Sequence, residues 1–385
     1  MNITKDHNII LINIDGLRKD KIELCPTLNS LKESSFYFPN MFTAAPYTFA
    51  ALHAIFSGMY ASRNGVNAYY NIFKFKKNKI TTLSELMQNN GYYTSCDIIS
   101  ESVLPNKGFD EWNLFDEEIV DFKERHKKLI QRLAKKEKFF LFLHFTETHK
   151  HLVRAIVQKY KQEDNDDDYF RSVEENNTRY NSYLPSCDDY VATIIETIKS
   201  AGIDKNTILI FFSDHGTSVG EKKGEKFYGV FAYDYTINVF CIINIPGEKP
   251  IRIDKQCRTI DIFSTIANIV GEELKNEFKN VQGKSLFELL NNSEDEREVF
   301  VETGGLYGPW PSSKKHNVFC LRANGKKIIY NHTPKSWEFY DLEKDPNELK
   351  NIYDENMDEI INLKQRLLHY FKENEISTNL NKNTD

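Results

Sequence analysis

The sequence predicts an α/β protein: one large, mainly parallel sheet flanked by helices, then a smaller antiparallel sheet with a packed helix. Three observations predict it. Short apolar runs at 8–14, 138–145, 207–213 and 237–244 alternate with amphipathic stretches, as in parallel strands buried on both faces. A chain of 385 residues with 40% hydrophobic content exceeds the roughly 250–300 residues at which single cores stop growing, so an appendage is expected. Beyond Gly271 the texture changes to short runs separated by turn residues, closing on one amphipathic segment.

Taken in order, Asn8 to Ile14 is a strand followed at once by Asp15-Gly16. Pro26 to Ser34 reads as a helix with proline at its first turn. Phe49 to Phe56 is the next helix, after Pro46-Tyr47-Thr48. Thr82-Leu83-Ser84-Glu85 has the spacing of a capping box and opens a helix to Asn89, closed by Asn90-Gly91. Residues 162–178 are acidic and poor in aliphatics, which predicts an exposed loop; the spaced glycine of a calcium loop is missing. Asp188 to Ala201 and Ile260 to Val270 are helices. Val299 to Glu302, Asn317 to Leu321 and Lys327 to Tyr330 are short strands, followed by a turn at Asp341 to Pro346 and a helix from Met357 to Phe371. The expected division is a catalytic unit over 1–290, a small α+β subdomain over 291–375 and a disordered tail over 376–385.

A net charge of -6 argues against nucleic-acid partners. No run approaches the ~18 apolar residues of a membrane span, and Met1 to His7 leaves no room for a signal peptide. The six cysteines have no C-x-x-C spacing, so a cytoplasmic protein with reduced thiols is expected.

The chemistry sits at strand ends. Asp15 ends the first run, Asp214-His215 ends 207–213, and Thr48 opens a helix between them. In open α/β sheets the carboxyl ends of parallel strands converge on one crevice. Two Asp, one His and a Thr hydroxyl suit a divalent cation, which can activate the hydroxyl as a nucleophile. Singly, each has a plainer reading: Asp15 as a cap or turn residue, Thr48 as a cap hydroxyl, His149 as an ordinary satisfied histidine. Their joint order favours the metal site. The aromatics Tyr47, Phe49, Tyr228 and Tyr233 read first as core, with pocket lining as the alternative.

Ile14-Asp15-Gly16-Leu17-Arg18, with Pro26-Thr27-Leu28-Asn29-Ser30-Leu31, resembles the opening of the alkaline phosphatase superfamily, in its sulfatase and phosphodiesterase branches. Tyr47-Thr48-Phe49 running to Ser57-Gly58-Met59-Tyr60 resembles its nucleophile helix, and counting back from Gly58 places Thr48 at the nucleophile. Phe139 to His149, Asp188 to Gly216, Arg258 to Phe263, Gly283 to Leu286 and Phe339 to Glu348 follow in the family's order.

The resemblance implies a single divalent ion held by Asp15, Thr48, Asp214 and His215, with manganese, zinc or magnesium preferred over calcium because Gly16 replaces the second acid of the sulfatase Asp-Asp pair. It implies catalytic roles for Thr48, His149 and Lys226, with Lys222 and Lys223 as rivals to the last, and substrate-side roles for Arg18, His53 and Tyr228. A two-metal site would need a further acid-x-x-x-His and a late histidine; Glu147 to His151 has such a spacing, but His316 and His332 lack a matching flank. Where sulfatases of the best-known type carry a Cys or Ser followed by Pro and Arg, this chain has Thr48-Phe49-Ala50-Ala51-Leu52. Threonine cannot become formylglycine. The expectation is therefore hydrolysis of phosphoric or phosphonic esters through a phospho-Thr48 intermediate, on a small-molecule or glycan- or lipid-linked substrate. The alternatives are sulfate-ester hydrolysis without formylglycine, transfer to a sugar or lipid hydroxyl, and a non-catalytic binding protein.

Overall fold

The computed structural model describes residues 6–147, 166–275, 278–291, 295–304 and 317–378. Its large sheet has nine strands: β1 (Asn8–Ile14), β2 (Phe36–Phe42), β3 (Tyr93–Ile98), β4 (Glu111–Leu114), β5 (Phe139–Phe145), β6 (Thr207–Phe212), β7 (Asn238–Asn244), β8 (Ile251–Arg252) and β9 (Cys257–Arg258). The order is β4-β3-β5-β1-β6-β7-β2-β8, with β9 also on β2. Only β7 runs against the rest of this sheet. β1, β5 and β6 are buried along their whole length. That is why they read as unbroken apolar runs rather than as alternating ones.

Side-chain alternation divides these strands between two cores. Ile9, Leu11, Phe140, Phe142, Ile208 and Ile210 meet Leu52, Ile55 and Phe56 of the helix Thr48–Ser57 on one face. Ile10, Ile12, Leu141, Leu143 and Phe211 meet Leu28, Ile130, Tyr190 and Ile194 on the other. Each large side chain buried this way contributes about 1.5–3 kcal/mol before the entropy of ordering it.

β10 (Val299–Gly304), β11 (Asn317–Ala323), β12 (Lys326–Asn331) and β13 (Ser336–Asp341) form a second, antiparallel sheet in sequence order. The helix Asp358–Glu373 packs Leu363, Leu367 and Phe371 against Leu321, Ile328 and Phe339. Lys327 on β12 is fully buried between Asp234 and Glu348, 2.6 Å from the latter. Lys222 donates to the Glu348 carbonyl and lies over the Tyr233 ring, 4.7 Å from its centroid. Ile376 and Thr378 are buried, and residues 379–385 lie outside the described residues.

Several elements differ from the expectation. In the stretch 162–178, Asp166–Arg171 is helical and Val173–Ser182 is a second helix, not a loop. The composition is polar because most side chains face water, but Tyr169, Asn176 and Tyr180 are buried anchors. Asn176 Nδ2 donates to the carbonyls of Tyr169 and Val219, each at 3.0 Å. The strands β2, β3, β4, β8, β9 and β13 are also additions to the predicted set. β3 hid behind its polar residues; its buried Asp97 is met by Arg125 (2.6 Å) and His126 (3.2 Å). Among the described residues no helix is long and apolar enough to cross a membrane.

Candidate active site

The site grows from the carboxyl ends of β1 and β6. Asp15 N donates to Phe145 O at 3.0 Å, tying the exit of β1 to β5. Gly16 then turns the chain at φ 69, a conformation that favours glycine. Its carbonyl accepts from Tyr180 Oη (3.0 Å) and Thr217 Oγ1 (2.9 Å). On β6, Asp214 N donates to Asn13 Oδ1 at 3.0 Å, so β1 also fixes the exit of its neighbour. A Cβ on Gly216 would lie 2.2 Å from Tyr235 O. The chain after His215 can run this close to its neighbour only without a side chain.

Thr48 is the first residue of its helix, which Gly58 ends in the left-handed conformation. Its Oγ1 lies 3.3 Å from Asp15 Oδ2 and 3.2 Å from His215 Nε2. Ligand atoms of Asp15, Asp214 and His215 all lie within 4.8 Å of one another. His215 Nδ1 is 2.7 Å from Gly216 O. A carbonyl can only accept, so Nδ1 carries a hydrogen and Nε2 is the ring nitrogen that faces the acids. Asp214 is wholly buried, and its Oδ2 has no hydrogen bond among the described residues. Burial, and then the charge of Asp15, raises the Asp214 carboxyl above the ordinary aspartate range. Two buried acids, an imidazole nitrogen and a hydroxyl form a donor set that a divalent cation fits.

The other expected residues are placed as follows. Tyr228 lies over His215, ring centroids 4.5 Å apart. Arg18 donates to Thr217 O at 3.1 Å and pairs with Asp20 (2.9 Å) and Glu221, joining the loop after β1 to the loop after β6. His53 Nδ1 meets Phe49 O at 2.7 Å, and the ring stands edge-on to Phe75. Burial lowers its pKa to about 4. His53 lines a cavity of about 490 Å³ with Phe73, Phe75, Ser100, Glu101 and Ser102. Lys226 is half-buried, its carbonyl accepting from Tyr169 Oη. Of its rivals, Lys222 is committed to Glu348 and Tyr233, and Lys223 to Asp167 at 2.7 Å. His149, His151 and His316 lie outside the described residues. The structure thus gathers Asp15, Thr48, Asp214 and His215, with Tyr228 above them.

Two contributors were not singled out in the sequence, Asn13 and His144. His144 Nε2 is 2.8 Å from Asp15 Oδ2. The available signal was a polar residue near the carboxyl end of each largely apolar strand.

A family model described as Sulfatase matches residues 7–272, and one described as N-sulphoglucosamine sulphohydrolase, C-terminal, matches 224–373. The chain is 28% identical over 182 residues to arylsulfatase K of Bos taurus, a stretch covering 45% of the chain and 32% of that protein. It spans about a third of the length of the curated relatives it matches. Among solved structures, a 2-O GAG sulfatase shares the fold at a TM-score of 0.80, with 17% identity and coverage of 96% of this chain and 93% of that one. The phosphonate monoester hydrolase of Agrobacterium radiobacter does so at 0.76, with 14% identity and coverage of 96% of each. Because the Sulfatase match runs from before β1, through Asp15, Thr48 and His215, to beyond β9, this chain belongs to the sulfatase family, a family of ester hydrolases.

Proposed function

We propose that this chain is a metal-dependent hydrolase that cleaves phosphoric or phosphonic esters with Thr48 as nucleophile. The observation that carries the reading is the place of the Thr48 hydroxyl, 3.3 Å from Asp15 and 3.2 Å from His215 at the start of a ten-residue helix. Asp15, Thr48, Asp214 and His215 would hold the cation, as manganese, zinc or magnesium. When bound, such an ion lowers the pKa of a hydroxyl and offsets charge on ester oxygens.

The chain's own groups supply the rest. Thr48 Oγ, its proton released to solvent water, attacks phosphorus in line, forming the Oγ–P bond as the ester P–O bond breaks and the alcohol departs. The first-turn N–H groups of the Thr48 helix favour the anionic phosphoryl oxygens. His149 is assigned the proton for the leaving oxygen and Lys226 the countercharge. Water then attacks phosphorus, releases the acid and restores the hydroxyl. Tyr228 walls one side, and the cavity beside His53 is assigned to the alcohol portion of the ester. The residues 1–290 are taken as the catalytic unit, with 291–375 as its C-terminal subdomain. All six cysteines are buried and unbridged, in keeping with a reducing, cytoplasmic setting.

Sulfate esters are the second reading, favoured by relatives named as sulfatases and by a neighbour solved with D-glucosamine-2-N,6-O-disulfate. These names also favour a sugar-borne ester. The deciding experiment compares matched aryl phosphate, phosphodiester, phosphonate and sulfate with manganese- or zinc-loaded protein and Thr48→Ala. Phosphorus-ester turnover that disappears in Thr48→Ala is expected. Dominant sulfate turnover would move the assignment to a sulfatase that works without formylglycine.

A further inference from the structure

The register of the central strands places Asn13 of β1 opposite His144 of β5 and opposite Phe212 of β6. Partners in adjacent strands share a face, so Asn13 and His144 point to the side covered by the Thr48 helix. Both are buried, at 0% and 1% exposure, and the other positions of these strands on that face, Ile9, Leu11, Phe140 and Phe142, are apolar. Leucine or phenylalanine would be less costly to bury there than an imidazole, unless a hydrogen bond compensates.

The compensating contact is specific. His144 Nε2 lies 2.8 Å from Asp15 Oδ2, while its Nδ1 has no hydrogen-bond partner among the described residues. A carboxylate accepts, so Nε2 carries the hydrogen. Asp15 Oδ2 is also the oxygen 3.3 Å from Thr48 Oγ1, and Oδ1 is the one 3.6 Å from His215 Nε2. Holding Oδ2 therefore fixes the rotation of the carboxylate and the direction of its other oxygen. His144 itself stands outside the Asp15, Asp214 and His215 cluster. Asn13 does the matching work for Asp214, holding its backbone N–H at 3.0 Å.

We infer that His144 is a positioning residue that orients Asp15 for cation binding, with Asn13 beside it as the support of Asp214. The inference rests on the metal-site reading proposed above. Groups that orient a ligand from behind typically change metal affinity by about 10–100-fold when removed.

The test is calorimetric titration of manganese or zinc chloride into chelator-treated full-length protein. His144→Leu is expected to weaken binding by at least about tenfold. His144→Gln, which keeps an N–H at similar reach, is expected to stay within about threefold of wild type. At saturating metal the ester KM is expected to stay unchanged in both variants, which general damage to the site would not allow. His144→Phe replaces His144→Leu if the latter fails to fold. Wild-type affinity in His144→Leu or His144→Phe overturns the inference while leaving the metal site standing. Equal weakening in His144→Gln overturns it too, because loss of shape rather than of a donor would then be the cause. A wild type that takes neither metal overturns the metal-site reading and this inference together.

Discussion

The ring of Tyr228 covers the ring of His215, centroids 4.5 Å apart and planes inclined by 36°. The contact sets an aromatic roof on a residue whose Nε2 faces two acids. Burial, and then the charges of Asp15, Tyr69 and Asp214, pushes the Tyr228 phenol upward, so its hydroxyl keeps its proton through the working pH range. Tyr228→Ala is expected to cost more than about 1 kcal/mol of stability, because the loss of one aromatic pair adds to the loss of burial, read as a lower urea midpoint. Tyr228→Phe keeps the stack and is expected to lose less than Tyr228→Ala.

Metal removal has a predicted sign. The Asp214 carboxyl is raised, so in metal-free protein the folded state binds its proton more tightly than the unfolded state does. This group therefore lowers stability as pH rises above its unfolded pKa near 3.8. Asp214→Asn removes that cost. Thermal melts at pH 7 are expected to show metal-free Asp214→Asn at least as stable as metal-free wild type. Added cation at about 100 times Kd should stabilise wild type by about 3 kcal/mol and leave the variant unmoved.

His53 predicts an acid-side effect. Its folded pKa is lowered to about 4 by burial, against an ordinary 6.5. Between these values the unfolded chain binds the extra proton and the folded chain does not. Stability is therefore fully present above pH 6.5 and falls as pH drops toward 4, by about 3 kcal/mol at one kcal/mol-scale step per pH unit. In His53→Gln that slope should flatten. Urea titrations at stepped pH check it, and parallel slopes would contradict the assignment.

Phe73 separates binding from folding. It is 87% exposed on the rim of the cavity beside His53, so Phe73→Ala should change stability by no more than about 0.5 kcal/mol. If the alcohol portion of the ester lies in this cavity, the variant raises KM for esters of ring-bearing alcohols and leaves methyl esters unaffected. Steady-state kinetics on matched pairs would show it.

The elements legible in the sequence are those whose causes are local. β1, β5 and β6 announce themselves as continuous apolar runs because both faces are covered. The Thr82 capping box forms as its spacing predicts, Glu85 accepting from Thr82 N at 2.8 Å. Asp15, Thr48, Asp214 and His215 were legible because strand ends and a helix start are places that sequence marks. The elements that were missed depend on distant partners. Asp97 can sit inside β3 only because Arg125 and His126 meet it. Tyr180 anchors a polar helix by bonding Gly16, and His144 finds Asp15 across a strand pair.

Lys327 also gives the second sheet a consequence for how the molecule comes apart. Its countercharges, Asp234 and Glu348, lie on the segment leading into β7 and on the chain beyond β13. Peeling the C-terminal sheet away would carry Lys327 and Glu348 off together and part both from Asp234, losing the Lys327–Asp234 ion pair and the bond from Asp234 N to Glu348 Oε2. The interlock predicts that the two sheets melt together, and a C-terminal half exchanged between relatives would have to match the charge of Asp234 to be accepted.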